Sequence, residues 1–421
     1  MEKKRVLIVT QYFYPEDFRI NDVGQELVKR GHCVDALVGI PNYPEGKYFK
    51  GYGLFKKRSE IVNGVHIYRV LQTPRGKKPS LLQLSINYVS YAFFAFFWVL
   101  TFAIFKKKYD AILVFQTSPV TQAFPAILYG KLRRVPVYTW VQDIWPDSVV
   151  STTGDKDGRL FGLFKRILSS MTDYVYKNSF RIMVSSKGME PLVCRNADYS
   201  EKIIYVPNWC NDMMSMPLVE TTKLPGEFKI MMAGNLADGI GVDTVIRLVE
   251  SLSDIDDLMF IFVGGGALAD YMKEQFDEKK LRNVVMTGRL PFSNMPGLYK
   301  QADAMLLTLK FSKLPHLKAT VPSRLQSYMS AGKPILGMID GCANDVIHEA
   351  QCGYCAAAGD VESLSSYIRN EVLPNKERFR SKGKKSRMYF ERYYQMAGCM
   401  SNIEYYLSGK TNNPPYSVPF V

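Results

Sequence analysis

Histidine and cysteine are scarce in this chain: four and seven residues in 421, scattered along it. No His/Asp/Glu cluster has metal-ligand spacing, so no metal is expected. Cys352-Gly-Tyr-Cys355 is a lone CxxC without a second pair or a nearby histidine, and it reads as two reduced core or turn thiols. Asp-x-Asp pairs are missing from strand ends. Asp254-Ile255-Asp256 precedes a strand, and Asp155-Lys156-Asp157 lies between two glycines as a polar turn. No GxGxxG follows the first strand, which removes the usual mark of dinucleotide redox chemistry, and no cofactor is expected. There is no lysine-rich arm with interleaved aromatics, so nucleic acid is discounted as a partner. The opening Met1-Glu-Lys-Lys-Arg runs straight into a strand rather than a signal peptide, and the expected placement is cytosolic.

The net charge is +14, which favours anionic partners such as nucleotide phosphates or an acidic membrane face. The length predicts about two domains. Arg5–Thr10 is an apolar, β-branched run of the kind buried on both faces of a parallel sheet. A helix over Asn21–Arg30 and a strand at Cys33–Val38 follow. Lys229–Ala233 restarts the pattern, with a helix over Thr244–Leu252, a strand at Leu258–Val263 and a turn at Gly264-Gly265-Gly266. Two β-α-β series predict two doubly wound, Rossmann-like parallel sheets facing a cleft. The expected domains are 1–210 and 228–387. A Pro-containing linker, 211–227, lies between them, and a C-terminal helix, 388–410, returns to the first domain. In such sheets, ligands bind beyond the carboxyl ends of the strands.

Thr320–Pro334 (TVPSRLQSYMSAGKP) pairs a loop with a helix pattern and a Gly-Lys-Pro exit into the strand Ile335–Ile339. Ser323 is the expected N-cap. Free N–H groups and the Arg324 cation then converge at a helix start, which is a ready anion site; an ordinary capped helix that binds nothing is the alternative.

Five segments carry a resemblance: Gln11–Asn21 (QYFYPEDFRIN), Gly39–Gly53 (GIPNYPEGKYFKGYG), Asp143–Ser148 (DIWPDS), Val206–Trp209 (VPNW) and Pro322–Pro334. Together they resemble GT-B glycosyltransferases of family four, within a bacterial branch of fucosamine (N-acetyl-L-fucosamine) or colanic-acid-type transferases. The chain departs from the broad pattern at three places. Ala319 and Ser327 stand where most relatives carry a glutamate pair. Gln142-Asp143 replaces His-Asp. The loop Gly234–Gly239 lacks the usual Arg and Lys.

The resemblance implies a metal-independent, retaining transferase. The donor is a nucleotide sugar, expected as a UDP-N-acetyl-aminosugar such as UDP-N-acetyl-L-fucosamine. The acceptor is a polyprenyl-diphosphate-linked saccharide of capsule, exopolysaccharide or O-antigen. Arg324 is the expected stabiliser of the leaving diphosphate, with Lys318 second. Gly234 and Asn235 let backbone approach the phosphates, and the backbone near Arg289 holds the nucleobase in relatives; an ordinary strand-end arginine is the alternative. Ser323, Gln326 and Ser327 are candidates for donor hydroxyls. Asp143 is the candidate carboxylate for the acceptor hydroxyl; as a bland alternative it caps a helix. Glu16 and Arg19 are candidate acceptor or phosphate contacts. Two other readings stay open: a nucleotide-sugar epimerase of the same fold, or a non-catalytic binding subunit.

Tyr88–Phe105, inside an apolar segment 81–105, carries no charge and is long enough to span a bilayer. Its place between the strands Val65–Val70 and Ala111–Phe115 argues against a span, because both strands belong to one sheet. The aromatics, with Arg75, Lys77 and Lys78 before and Lys106–Lys108 after, predict a helix or helical hairpin docked on an anionic cytoplasmic leaflet; substitutions at Phe93, Phe97 and Trp98 release the protein if these residues face lipid and unfold it if they face the core. A helix buried wholly in the core is the alternative.

Overall fold

The computed structural model describes residues 2–77, 80–101, 103–105, 108–153 and 159–418. Lys78, Lys106, Lys107 and the Asp155-Lys156-Asp157 pair lie outside the described residues. The chain divides into two compact units.

Unit 1 comprises Met1–Ser185, Met189–Val206 and Met400–Pro415. Its strands are β1 (Arg5–Val9), β2 (Cys33–Val38), β3 (Ser59–Val62), β4 (Val65–Arg69), β5 (Ala111–Gln116), β6 (Val137–Val141), β7 (Arg181–Val184) and β8 (Ile203–Tyr205). They form one sheet in the order β3-β4-β2-β1-β5-β6-β7-β8. Every neighbouring pair is parallel except β3 and β4. That pair is a hairpin closed at Asn63-Gly64, both with positive φ (49° and 82°), as a tight two-residue turn requires. All residues of β5 and β6 are buried, as expected of central strands covered on both faces. The helices used below are α1 (Arg19–Lys29), α2 (Leu81–Thr101), α3 (Ala123–Arg133), α4 (Asp147–Thr153) and α5 (Arg159–Asn178). The late segment Met400–Pro415 is held to α1 and its exit: Glu404 pairs with Arg30 at 3.1 Å and with His32 at 3.0 Å.

Helix α2 is built into this unit along one stripe. Asn87, Tyr91, Ala95, Trp98 and Val99 are buried. Asn87 accepts from Gln11 Nε2 at 2.7 Å and donates to the Thr73 carbonyl at 2.5 Å. The Tyr91 hydroxyl donates to the Leu37 carbonyl at 3.0 Å. The Trp98 ring packs on Tyr68, with centroids 5.2 Å apart. Trp98 is therefore a core residue, and of the two outcomes left open for it the structure gives the core; the 3.6-residue period turns it away from Phe93 and Phe97. The outward stripe, Leu82, Ile86, Val89, Phe93, Phe97 and Leu100, is exposed by about half or more at each position. A helix buried wholly in the core is thereby excluded.

Unit 2 comprises Ser186–Gly188, Pro207–Cys399 and Tyr416–Val421. Its strands are β9 (Phe228–Ala233), β10 (Leu258–Val263), β11 (Val284–Gly288), β12 (Ala304–Thr308), β13 (Ile335–Met338) and β14 (Gly353–Ala356). They run parallel in the order β11-β10-β9-β12-β13-β14. Side chains alternate between two apolar layers. Phe228, Ile230 and Met232 join one; Met231 and Ala233 join the other. Each fully buried side chain of this size contributes about 1.5–3 kcal/mol. The order reverses between β9 and β12, so the loop after β9 opens at the crevice where doubly wound sheets bind ligands. In unit 1 the reversal falls between β1 and β5.

Candidate functional site

In unit 2 the loop after β9 is held by two side chains of one helix. Tyr328, fully buried on the helix Ser323–Ser330, accepts from Ala233 N at 2.9 Å and donates to the Ala233 carbonyl at 3.1 Å. That bond pair fixes the helix to the end of β9. Arg324 lies one turn earlier on the same face, and its Nη2 donates to the Asn235 carbonyl. A Cβ on Gly234, where φ is +124°, would stand 2.8 Å from Arg324 Nε. Only glycine combines that backbone conformation with so close a guanidinium.

The three glycines after β10 are each tied to this loop or to its neighbour. A Cβ on Gly264 would meet the Gly234 carbonyl at 2.0 Å, one on Gly265 would meet Arg289 Nε at 2.9 Å, and one on Gly266 would meet the Leu236 carbonyl at 2.1 Å. Gly264 N donates to Gly288 at 2.9 Å, and Leu236 N to Gly265 at 2.9 Å. The loops after β9, β10 and β11 thus form one interlocked backbone surface. The loop Gly234–Gly239 has no cation of its own, but its neighbours supply them. Arg324 and Arg289 lie against the glycines, and Lys310, just after β12, pairs with Asp238 at 2.8 Å. The arrangement suits a dianionic group.

Other candidates fall elsewhere. Ser323 is the first helical residue; Pro322 is the N-cap and no side chain caps the helix, which corrects the assignment of Ser323 as a cap. The Val-Pro-Ser sequence places proline in the extended cap conformation instead. Gln326 is 2% exposed, so it is not open to a ligand, and Ser327 is half-buried. Lys318 is exposed on the short helix Pro315–Lys318.

In unit 1 the strand-end loops form a second constellation. Asp143 Oδ2 accepts from both the backbone N–H and the hydroxyl of Ser118, at 3.0 and 2.9 Å. The Ser118 hydroxyl in turn accepts from Trp145 Nε1 at 3.0 Å. Asp143 therefore ties the loop after β6 to the loop after β5, and its carboxylate does not cap α4. The carboxylate stays half-exposed at the strand ends.

Glu16 proves to be a loop anchor. Its Oε1 accepts from Asn42 N (2.8 Å) and Tyr43 N (2.7 Å), and its Oε2 from Phe13 N (3.2 Å). At 2% exposure it cannot touch an acceptor, which corrects that assignment. Burial pushes its carboxyl up to about 7, against the opposing pull of the three N–H groups. Asn21 closes the same loop: it accepts from Tyr14 N at 3.1 Å and donates to the Glu16 carbonyl at 2.7 Å. Arg19 is the first residue of α1 and half-buried.

The loops so anchored stack Tyr12 on Phe18 (5.3 Å) and set Tyr43 against both rings at 5.6 Å. Arg75 lies over the Tyr43 ring at 5.2 Å, and its N–H donates to Asn42 Oδ1 at 2.9 Å. Arg75 and Tyr43 were not singled out from sequence as ligand contacts. Aromatic faces with a neighbouring cation suit a sugar joined to a phosphate.

Residues 219–387 match the family model of glycosyl transferases group 1. The probable glycosyltransferase WbjE of Pseudomonas aeruginosa is 23% identical over 308 residues, covering 70% of this chain and 73% of that protein. The putative colanic acid biosynthesis glycosyl transferase WcaI of Escherichia coli K12 is 24% identical over 349 residues, covering 78% and 81%. Among solved structures, Anabaena HepE in complex with UDP superposes with a TM-score of 0.65 at 13% identity, covering 97% of this chain and 100% of its own. With two parallel-sheet α/β units, the chain has the GT-B fold, and it is a glycosyltransferase whose residues 219–387 carry the similarity to group 1.

Proposed function

We propose that this enzyme transfers a sugar from a UDP-linked donor to a lipid-linked saccharide, with retention, during assembly of a capsule, exopolysaccharide or O-antigen. The donor is a UDP-N-acetyl-aminosugar such as UDP-N-acetyl-L-fucosamine, and the acceptor a polyprenyl-diphosphate-linked saccharide. The observation that carries the reading is Arg324 seated on Gly234 and Asn235 at the switch point of unit 2. That geometry meets a diphosphate with backbone and a planar cation. The UDP complex of HepE and the colanic acid role given to WcaI support the same direction. In unit 1, Asp143 receives the acceptor hydroxyl's proton or holds a sugar hydroxyl, and Arg75 beside Tyr43 meets an acceptor phosphate. The protein works at the cytoplasmic face of the membrane, peripheral or monotopic, with the outward stripe of α2 against lipid.

The test is a screen of purified protein against nucleotide sugars, with a membrane lipid fraction as acceptor and mass spectrometry as readout. A lipid product enlarged by one sugar residue is expected. Release of a free epimer without acceptor would make the protein an epimerase, and binding without turnover would make it a non-catalytic subunit.

A further inference from the structure

Beside α2, unit 1 carries a second apolar feature that the reading above does not use. A groove of about 730 Å³ lies between α2, α3 and α5. Its walls are Phe96 from α2, Phe124 and Leu128 from α3, and Leu163, Ile167 and Met171 from α5. Leu163 and Ile167 are half exposed, at a spacing that puts them on one helix face. Such a volume is in the range of pockets that enclose small apolar ligands.

Among the described residues, the charged side chains that line the groove have one sign. Lys131 and Arg166 belong to its lining, and Lys165 stands exposed beside Arg166. Lys131 Nζ lies 5.1 Å from the centre of the Tyr174 ring. Helices α2 and α3 contain no acidic residue. Asp173, the single acid of α5, is engaged by the Tyr199 hydroxyl at 2.6 Å. An apolar trough with an unopposed cationic rim fits a hydrocarbon chain ending in a phosphate. Leu82 and Phe93 continue the apolar surface on α2.

We propose that this groove takes an acyl chain of an anionic phospholipid, whose phosphate meets Lys131 and Arg166. Helices α2, α3 and α5 then act as one lipid-docking face. The inference does not depend on the donor or acceptor, since unit 2 plays no part in it.

The test uses the full chain and vesicles of phosphatidylcholine with about one third phosphatidylglycerol. A photoactivatable group is placed in the acyl chain of the phosphatidylglycerol. Cross-links are expected on peptides of α3 and α5 as well as α2. Leu128→Trp with Ile167→Trp, which fills the groove from exposed or half-exposed positions, should reduce cross-linking on α3 and α5 about tenfold while α2 is still labelled. Lys131→Glu with Arg166→Glu should weaken binding to anionic vesicles and leave the melting temperature unchanged. Cross-links confined to α2 would overturn the proposal. So would full displacement by a polyprenyl phosphate, which would make the groove the acceptor's tail site. A dimer that dissociates on Ile167→Glu, without lipid labelling, would assign the face to a second copy. UDP-sugar hydrolysis, measured separately without lipid, reports on the transferase reading alone.

Discussion

Arg324 Nε stands 2.8 Å from the place a Cβ on Gly234 would take, so the glycine's missing side chain sets the position of the guanidinium. Gly234→Ala should displace Arg324 and strain a backbone at φ +124°, at a cost of about 1–3 kcal/mol. Turnover should fall with it. Arg324→Ala should leave folding intact and lower kcat about ten- to a thousand-fold. Steady-state kinetics with a thermal melt check both, and native turnover in a folded Arg324→Ala protein would contradict the assignment.

Asp143 and Ser118 offer a separation of structure from chemistry. In Asp143→Asn the remaining carbonyl oxygen still accepts from both Ser118 donors, so stability should drop by only about 1–2 kcal/mol. Turnover should drop about a hundred-fold or more if the carboxylate takes the acceptor's proton. A stable variant with unchanged turnover per folded molecule would leave Asp143 as a loop tie.

Glu16 should leave a signature in the pH dependence of stability. Its carboxyl titrates near 7 in the fold and at 4.5 ordinarily. Between those values the folded state binds more protons than the unfolded state, so this group's contribution falls as pH rises and is lost above about 7. Melting temperatures at about pH 5 and about pH 8 should differ more in the wild type than in Glu16→Gln. Equal differences would show that burial does not raise this carboxyl.

Chelation should leave activity intact. Asp254, from the Asp-x-Asp pair that precedes β10, is clamped by Arg369 through two 2.8 Å bonds, and it lies at the amino end of its strand, away from the glycine loops. Loss of turnover in EDTA, restored by Mg²⁺ or Mn²⁺, would refute this.

The two sides of α2 should respond in opposite ways. Trp98→Ala removes a packed core ring and should cost about 3–5 kcal/mol. Phe93→Gln with Phe97→Gln should change stability by less than about 1 kcal/mol but reduce sedimentation with membranes. A variant pair that melts early would place Phe93 and Phe97 in the core.

The parallel strands were legible because buried runs have sharp ends. Cys33–Val38 and Leu258–Val263 have the bounds read from sequence. The β3–β4 hairpin was missed although Asn63-Gly64 marks it, because Ser59–Val62 is an exposed edge strand without an apolar run. Arg324 could be picked out as a cation at a helix start. Tyr328, which holds that helix to β9, could not, since its partner is Ala233 and nothing local signals so distant a bond. Glu16 misled for the same reason: in a loop sequence, a glutamate facing solvent and one bonded to the N–H groups of a distant loop, here Asn42 and Tyr43, look alike. The glycines after β10 read only as a tight turn, because what each one meets belongs to other loops.

Unit 1 is not a continuous stretch of chain: Met400–Pro415 belongs to it, with Glu404 bonded to Arg30 and His32. During synthesis, its sheet is complete by Tyr205, but this closing segment is made only after nearly all of unit 2. The nascent first half lacks the partner of Arg30 and His32 long after its strands exist. Disrupting Met400–Pro415 would therefore damage the unit whose strands are translated first.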